Sequence, residues 1–328
     1  MTGDAPRADP GDPLRAALDA ALRGLDGRAI SAAVQRLSTG YRSGDPAQLP
    51  RLDREIDVTA YAAYRMPATY AAVRAVLAQL PPLRVRSLLD LGGGTGAAAW
   101  AVAAVVERLT DVTVIDRSPT ALAFGARLAA AAAAPALRAA HWRQLPLDAP
   151  LPAAELITAA YLLGELAPAD RADLVDVLAA TDATVVLVEP GTPAGYRCIL
   201  DARDRLLAAG HGVIAPCPHS GRCPLAGGND WCHFAARLDR SAVHRRVKEA
   251  DLGYEDEKFS YVVTSRGAAA AATGRVLRHP LRRKGLITLA VCGAGGDVAQ
   301  TAVGRSRPAY RAAREVRWGD RWPPGDHR

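Results

Sequence analysis

Apolar residues recur at helical spacing in three stretches near the N-terminus: LRAALDAALRGLDG, AISAAVQRLSTGYRS and DVTAYAAYRMPATYAAVRAVLAQL. This spacing predicts a helical region over 14–82, in which Pro67 is placed to open a helix and Pro81 and Pro82 close the region. From Val85 onward the pattern changes. Short, fully apolar runs (VRSLLDLGG, DVTVID, ELITAAYLL, ATVVLVEPG) alternate with helical stretches ending in TPAGYRCILDARDRLLAAG. Strands that are apolar on both faces, each followed by a helix, predict a parallel sheet covered on both sides. Two later runs, KFSYVVTSR and GLITLAVCG, read as strands that would pair antiparallel at one sheet edge. The expected organisation is a disordered stretch at 1–13, helices over 14–82, an α/β core over 83–210, a cysteine-rich insertion over 211–256, and final strands with a basic tail over 257–328. No internal repeat is visible.

Length and composition narrow the class. A chain of 328 residues buries a large core and suits one main domain with appendages, or two domains. No uncharged apolar run approaches the roughly 20 residues of a membrane span. The N-terminal MTGDAPRADPGDP is polar and has no apolar core, so neither a secretory leader nor a transit peptide is expected there. Cytoplasmic localisation with reduced thiols follows as the expectation. A monomer is assumed.

Charge is more telling by place than by total. The protein carries a formal +7, yet residues 275–328 hold 12 basic and 4 acidic side chains, so the remainder is close to neutral. One basic cluster is Arg275, Arg278, Arg282, Arg283 and Lys284. A second comprises Arg305, Arg307, Arg311, Arg314, Arg317 and Arg321, interleaved with Tyr310, Trp318 and Trp322. Cationic side chains neutralise phosphates and aromatic faces stack on unpaired bases, which points to RNA or single strands. Arg278, Arg282, Arg283, Lys284, Arg311, Arg314, Arg317 and Trp318 are the candidate contacts. The alternative is a solvated arginine-rich tail.

Cysteine is scarce, five in all, yet Cys217, Cys223 and Cys232 fall within sixteen residues of one another in APCPHSGRCPLAGGNDWCHF. With Cys292 they form a set of four thiolates, enough for a zinc shell or an iron–sulfur cubane. A Gly- and Pro-rich stretch has little apolar content to fold on, so a metal clip would supply its order. Core cysteines and a disulfide are the competing readings; a core role suits Cys198, inside a helical run. The three closely spaced cysteines of a radical S-adenosylmethionine enzyme do not occur.

Asp90-Leu91-Gly92-Gly93-Gly94-Thr95-Gly96 follows a strand and opens a helix. Glycine is required where the backbone turns sharply and meets a ligand closely. Alternate glycines after an acid resemble the first motif of class I S-adenosylmethionine (SAM) methyltransferases more than a dinucleotide fingerprint. That resemblance implies cofactor contacts from Asp90, Gly92, Gly94 and Gly96, and a ribose contact from Asp116 at the end of the second strand. A ligand-free tight turn and NAD binding are the alternatives. No catalytic residue can be named. The sequence Thr158-Ala159-Ala160-Tyr161-Leu162-Leu163-Gly164-Glu165 lacks the Asn-Pro-Pro-Tyr type motif of nitrogen methyltransferases; Glu165 or Glu189 could act as a base, but a helix cap or a surface carboxylate explains each as well.

CPHSGRCPLAGGNDWCHF, LGYEDEKFSYVV, RHPLRRKG before the strand ending in Cys292, and YRAAREVRWGDRWP together resemble the ribosomal small-subunit Rsm family over about residues 50–325. The resemblance implies a class I methyltransferase Rossmann-like sheet with N-terminal helices and an inserted four-cysteine metal-binding segment. It implies a [4Fe-4S] cluster on Cys217, Cys223, Cys232 and Cys292, with zinc as the alternative. It also implies association with the small ribosomal subunit and its rRNA during assembly. An RNA-binding assembly factor and an active rRNA methyltransferase both remain open. The bacterial branch of the family is the expected home.

Overall fold

The computed structural model of the chain describes residues 12–43, 52–146, 149–239, 254–270 and 272–324. The stretch expected to be disordered, 1–13, lies outside them except for its last two residues. Asp12 caps the first helix, Pro13–Ala21, accepting from the Leu14 amide at 2.9 Å.

Among the described residues twelve strands make two sheets: β1 Ser87–Leu91, β2 Asp111–Asp116, β3 His141–Gln144, β4 Leu156–Ala160, β5 Thr184–Pro190, β6 His211–Ala215, β7 Phe234–Asp239, β8 Tyr254–Arg266, β9 Gly274–Val276, β10 Leu281–Arg283, β11 Leu286–Gly293 and β12 Val298–Gly304. The larger sheet runs β3-β2-β1-β4-β5-β8-β6, and β7 also pairs with β8. Strands β1 to β5 are parallel, whereas β8 is antiparallel to β5, β6 and β7. This is the Rossmann-like α/β architecture expected from the alternating pattern.

Side chains alternate across a strand, so each parallel strand feeds two cores. Leu88, Val112, Val114, Leu156, Val186 and Val188 pack with the N-terminal helices and with helices Ala97–Ala103 and Pro119–Ala130. Leu89, Leu91, Ile115, Ile157, Val185 and Leu187 pack on the other face with helices Pro168–Ala179 and Pro193–Ala208. The apolar runs are thus explained by burial on both sides.

Two expectations fail on strand placement. KFSYVVTSR lies within β8, which is interior to the large sheet and not at its edge. GLITLAVCG is β11, the centre of a separate four-stranded antiparallel sheet of β9 to β12 with its own core of Val276, Ile287, Leu289, Val291, Val303, Val316 and Trp322. Both runs are apolar, and apolarity alone does not say which sheet a strand joins.

The third N-terminal stretch is broken into helices Glu55–Tyr64 and Met66–Leu77 at Arg65. Pro67 lacks an N–H and crowds the carbonyl four residues back, so a single continuous helix is disfavoured. The break leaves Arg65 pointing inward, where it grips Glu257 of β8 through two hydrogen bonds of 3.0 and 3.3 Å. Replacing one partner of a half-dry ion pair strands the other. Arg65→Met should therefore destabilise by about 3–5 kcal/mol in denaturant titration. The double variant with Glu257→Gln should recover part of that loss.

Candidate functional site

β1 delivers Asp90 and Leu91, and the chain then turns through Gly92, Gly93 and Gly94 into helix Ala97–Ala103. Gly94 and Gly96 hold φ values of +51° and +86°, which glycine adopts at little cost. At Gly96 a Cβ would strike the Trp142 ring at 2.6 Å, while at Gly94 it would meet only Asp116 Oδ2 at 3.6 Å. The loop is therefore packed from behind and open at Gly94. Asp116 anchors it: Oδ2 accepts from the Gly94 amide at 2.9 Å and Oδ1 from the Ser118 amide at 2.8 Å. The second acid expected in this site sits differently. Asp90 is 1% exposed, and its two oxygens accept from Thr158 Oγ1 at 2.8 Å and the Ala99 amide at 3.2 Å. It braces the loop from inside, and burial pushes its carboxyl up to about 7.

Glu189 is also internal, 1% exposed, accepting from the Leu163 and Gly164 amides at 2.7 and 3.2 Å; burial pushes it up to about 8. It orders the 3-10 turn Leu163–Glu165, which is the capping role among the two readings considered. Glu165 is half-buried, and its carboxylate lies 3.8 Å from Arg117 Nη2. Burial pushes it up to about 7, against the pull of Arg117 and with a contribution from nearby Asp116. Sequence reasoning missed the neighbouring cluster. Tyr161 has φ +59°, the one non-glycine residue in the left-handed region among those described, and its hydroxyl donates to Glu257 at 2.8 Å. The Arg65 guanidinium lies 5.4 Å from the centre of its ring. The only local signal was the unusual Tyr161 sequence after β4, where no glycine relieves the turn.

The four cysteines meet. Cys217 follows β6 after Pro216, Cys223 and Cys232 lie on the loop to β7, and Cys292 is in β11 of the second sheet, yet all four line one cavity. The cavity encloses about 540 Å³ including its mouth, and Tyr196, Arg203, His219, Tyr261 and Arg275 complete its wall. None of the five cysteines is disulfide-bonded. Burial pushes the Cys217, Cys232 and Cys292 thiols up, Cys292 to about 12, and neighbouring cysteines push each further. Buried thiols crowded in this way ionise together only when a cation offsets their mutual repulsion. Among the described residues no three Cys, His, Asp or Glu side chains converge as a single-ion shell. Several polar groups face the thiols: the Tyr196 hydroxyl is 3.2 Å from Cys223 Sγ, and His219 Nε2 is 3.7 Å from Cys292 Sγ. Buried Arg203 Nε, His219 Nδ1, Tyr261 Oη and Arg275 Nη2 have no hydrogen-bond partner among the described residues. Soft donors on several sides of a cationic, donor-rich cavity fit a thiolate-bound metal centre. Cys198 stands apart in the second core, 3.0 Å from Arg171 Nη1, as its helical setting suggested.

The basic residues divide into two groups. Arg282, Arg283 and Lys284 are exposed where β10 turns into β11. Leu286 pairs with Gly304, and the Arg305 amide donates to Gly285 O at 2.9 Å, so the two arginine clusters meet at this hairpin. Arg282 Nη2 also donates to Val316 O, bringing exposed Arg311, Arg314 and Arg317 alongside. Others are structural. Arg275 is 1% exposed, and Trp322 lies in the core of the four-stranded sheet. Arg278 bonds Asp230 and Trp231 O. Trp318 is half-buried, edge-on to the His233 and His279 rings at 4.9 Å each, so its faces are partly committed.

Residues 55–323 match the family described as Mitochondrial small ribosomal subunit Rsm22. The human Ribosome assembly protein METTL17, mitochondrial, is 30% identical over 287 residues, covering 80% of this chain and 62% of that protein. The Rsm22-cox11 tandem protein 2, mitochondrial, of Schizosaccharomyces pombe is 25% identical over 341 residues, covering 81% of this chain and 43% of that protein. The chain thus spans less than two thirds of the length of either relative. Among solved structures, Mitomycin 7-O-methyltransferase MmcR shows 15% identity and a TM-score of 0.41, with coverage of 79% and 74%. Precorrin-6y C5,15-methyltransferase from Geobacter metallireducens shows 13% and 0.40, with coverage of 60% and 86%. The family and both relatives carry mitochondrial descriptions, which overturns the expectation of a cytoplasmic protein.

Asp90 and Glu189 fold with carboxyls raised from ordinary values of 3.8 and 4.5 to about 7 and about 8. The protonated forms favour the fold, so the stability they contribute is full below about pH 4 and is lost as pH rises through 7 to 8. Thermal midpoints should fall between pH 5 and pH 8.5, and Asp90→Asn should flatten part of that fall.

Proposed function

This chain belongs to the Rsm22 family, and on that premise we propose that it is a methyltransferase-like factor that binds rRNA of the small ribosomal subunit during assembly. The observation that carries the reading is the meeting of two arginine clusters, distant in sequence, on the sheet that also supplies Cys292. The surface is cationic where exposed, and its scaffold is tied to the cysteine cavity. In this reading Cys217, Cys223, Cys232 and Cys292 hold a [4Fe-4S] cluster. Four cysteines lining one cavity supply the ligand number of a cubane, one per iron, and zinc, which takes four thiolates as well, is the alternative. When bound, the cluster cross-links the insertion to the second sheet and supplies one-electron chemistry. Gly94 leaves the loop open on the side SAM would occupy, Gly92 and Gly96 let the turn pack against Leu162 and Trp142, Asp116 supplies an acceptor for the SAM ribose, and Asp90 stiffens the loop from behind.

Binding to small-subunit RNA should weaken with salt, with a logarithmic slope of roughly −0.7 per phosphate contact for single strands. Reversing the charges of Arg282, Arg283 and Lys284 should make that slope shallower, measured by filter binding across salt concentrations. An unchanged slope refutes this surface as the RNA contact.

Glu165 favours a second reading, an active rRNA methyltransferase, because a carboxyl raised to about 7 beside Asp116 suits a base working near neutrality. Labelled methyl transfer from SAM to small-subunit RNA separates the two. Transfer that Gly94→Arg abolishes, by placing a side chain against Asp116, supports the enzyme. Absence of transfer in both forms, with RNA binding intact, supports the assembly factor.

A further inference from the structure

Charge bookkeeping around the cysteine cavity goes further than the ligand set. Seven buried side-chain polar atoms among the described residues lack a hydrogen-bond partner, and four of them, Arg203 Nε, His219 Nδ1, Tyr261 Oη and Arg275 Nη2, belong to residues that line this one cavity. Buried polar groups are seldom left unpaired, so such a concentration marks acceptors that belong in the cavity. Two of the four residues are fully charged. Arg203 is 3% exposed and Arg275 1% exposed. Arg275 bonds neutral oxygens, Pro216 O at 2.9 Å, Gly319 O at 2.8 Å and Gln79 Oε1, and has no carboxylate at ion-pair distance among the described residues. Arg203 donates to His219 O and Gly221 O, and its ion-pair partner Asp204 is mostly exposed. A buried guanidinium without a buried counter-charge is strongly disfavoured.

The anion is supplied by the cavity itself. Arg203 lies within the field of the Cys217 sulfur, and Arg275 stands directly across the β9–β11 ladder from Cys292. Four thiolates around a doubly positive cubane leave two negative charges, and two guanidinium groups cancel them. We propose that Arg203 and Arg275 are the built-in counter-charges of the cysteine centre and that, with the hydroxyls of Tyr196 and Tyr261, they set its reduction potential. This rests on the reading that the cavity holds an iron–sulfur cluster. Uptake of one electron, from an external one-electron reductant, adds a negative charge without breaking a bond. Fixed positive charges and sulfur-directed donors favour the reduced form, so they raise the potential.

The test uses the full chain prepared without oxygen. Iron and acid-labile sulfide are measured first, followed by a one-electron potentiometric titration with dithionite, read by absorption and electron paramagnetic resonance. Arg203→Met should lower the centre's affinity for an electron about tenfold, a negative shift of about 59 mV. Arg203→Lys should return most of that shift by restoring the charge. Tyr196→Phe, which keeps the ring and removes the hydroxyl 3.2 Å from Cys223 Sγ, should shift the potential the same way by a smaller amount. Should Arg203→Met fail to take up iron, Arg203→Gln, which also removes the charge but keeps a polar side chain, takes its place. A potential equal to wild type in the charge-removing variant, with iron and sulfide still bound, overturns the counter-charge assignment and leaves the cluster standing. A wild-type protein that holds zinc, or neither iron nor sulfide, overturns the cluster reading and the assignment with it.

Discussion

One buried guanidinium joins parts of the chain that lie far apart in sequence. Arg275 donates from Nε to Pro216 O at the start of the cysteine loop, and from Nη1 to Gly319 O near the C-terminal end and to Gln79 at the end of the N-terminal helical region. Its backbone bridges to Arg321, whose own guanidinium donates to Gln79 O. Three regions thus converge on a single side chain, and the second sheet is held against the first. Few residues suit this role. A planar cation with five donors in fixed directions reaches three separate acceptors at once, which an ammonium on a flexible stem does poorly.

The parallel half of the fold was legible because its cause is local. β1, β2, β4 and β5 each bury both faces, and that shows as short runs in which Val, Leu and Ile dominate. β3 was not, because HWRQ is an edge strand exposed at most of its positions, and its pairing comes from β2. The meeting of the cysteines was legible as composition, since scarce residues crowded into a Gly- and Pro-rich loop imply a shared purpose. Residues whose meaning depends on a distant partner misled or were missed. Arg275 read as part of an exposed basic patch, and only its burial shows it to be internal. Arg65, Tyr161 and Glu257 carried no motif, and their association is made entirely by the third dimension.

The crevice beside the glycine loop combines rigidity with constraint. Asp90 and Glu189 both spend their oxygens on backbone amides or a hydroxyl, so two acids that read as candidate chemistry instead hold the turns around it. Tyr161 is kept in an unfavourable backbone conformation by the grip of Glu257 on its hydroxyl, and Glu257 is in turn fixed by Arg65. Geometry at this end of the sheet is therefore set by an internal network whose members come from the N-terminal helices, β4 and β8.

Among the described residues β8 is the longest strand, thirteen residues, and it pairs with three others, β5, β6 and β7. Glu257 reaches the crevice, Ser260 donates to Cys232 O, Tyr261 walls the cysteine cavity, and the C-terminal half pairs with β6. Because successive side chains of a strand point in opposite directions, losing or gaining one residue between Glu257 and Ser260 would send one of these two groups to the wrong face. The length of the ribbon is thus fixed by the groups it carries, which makes β8 the ruler by which the two sites are spaced.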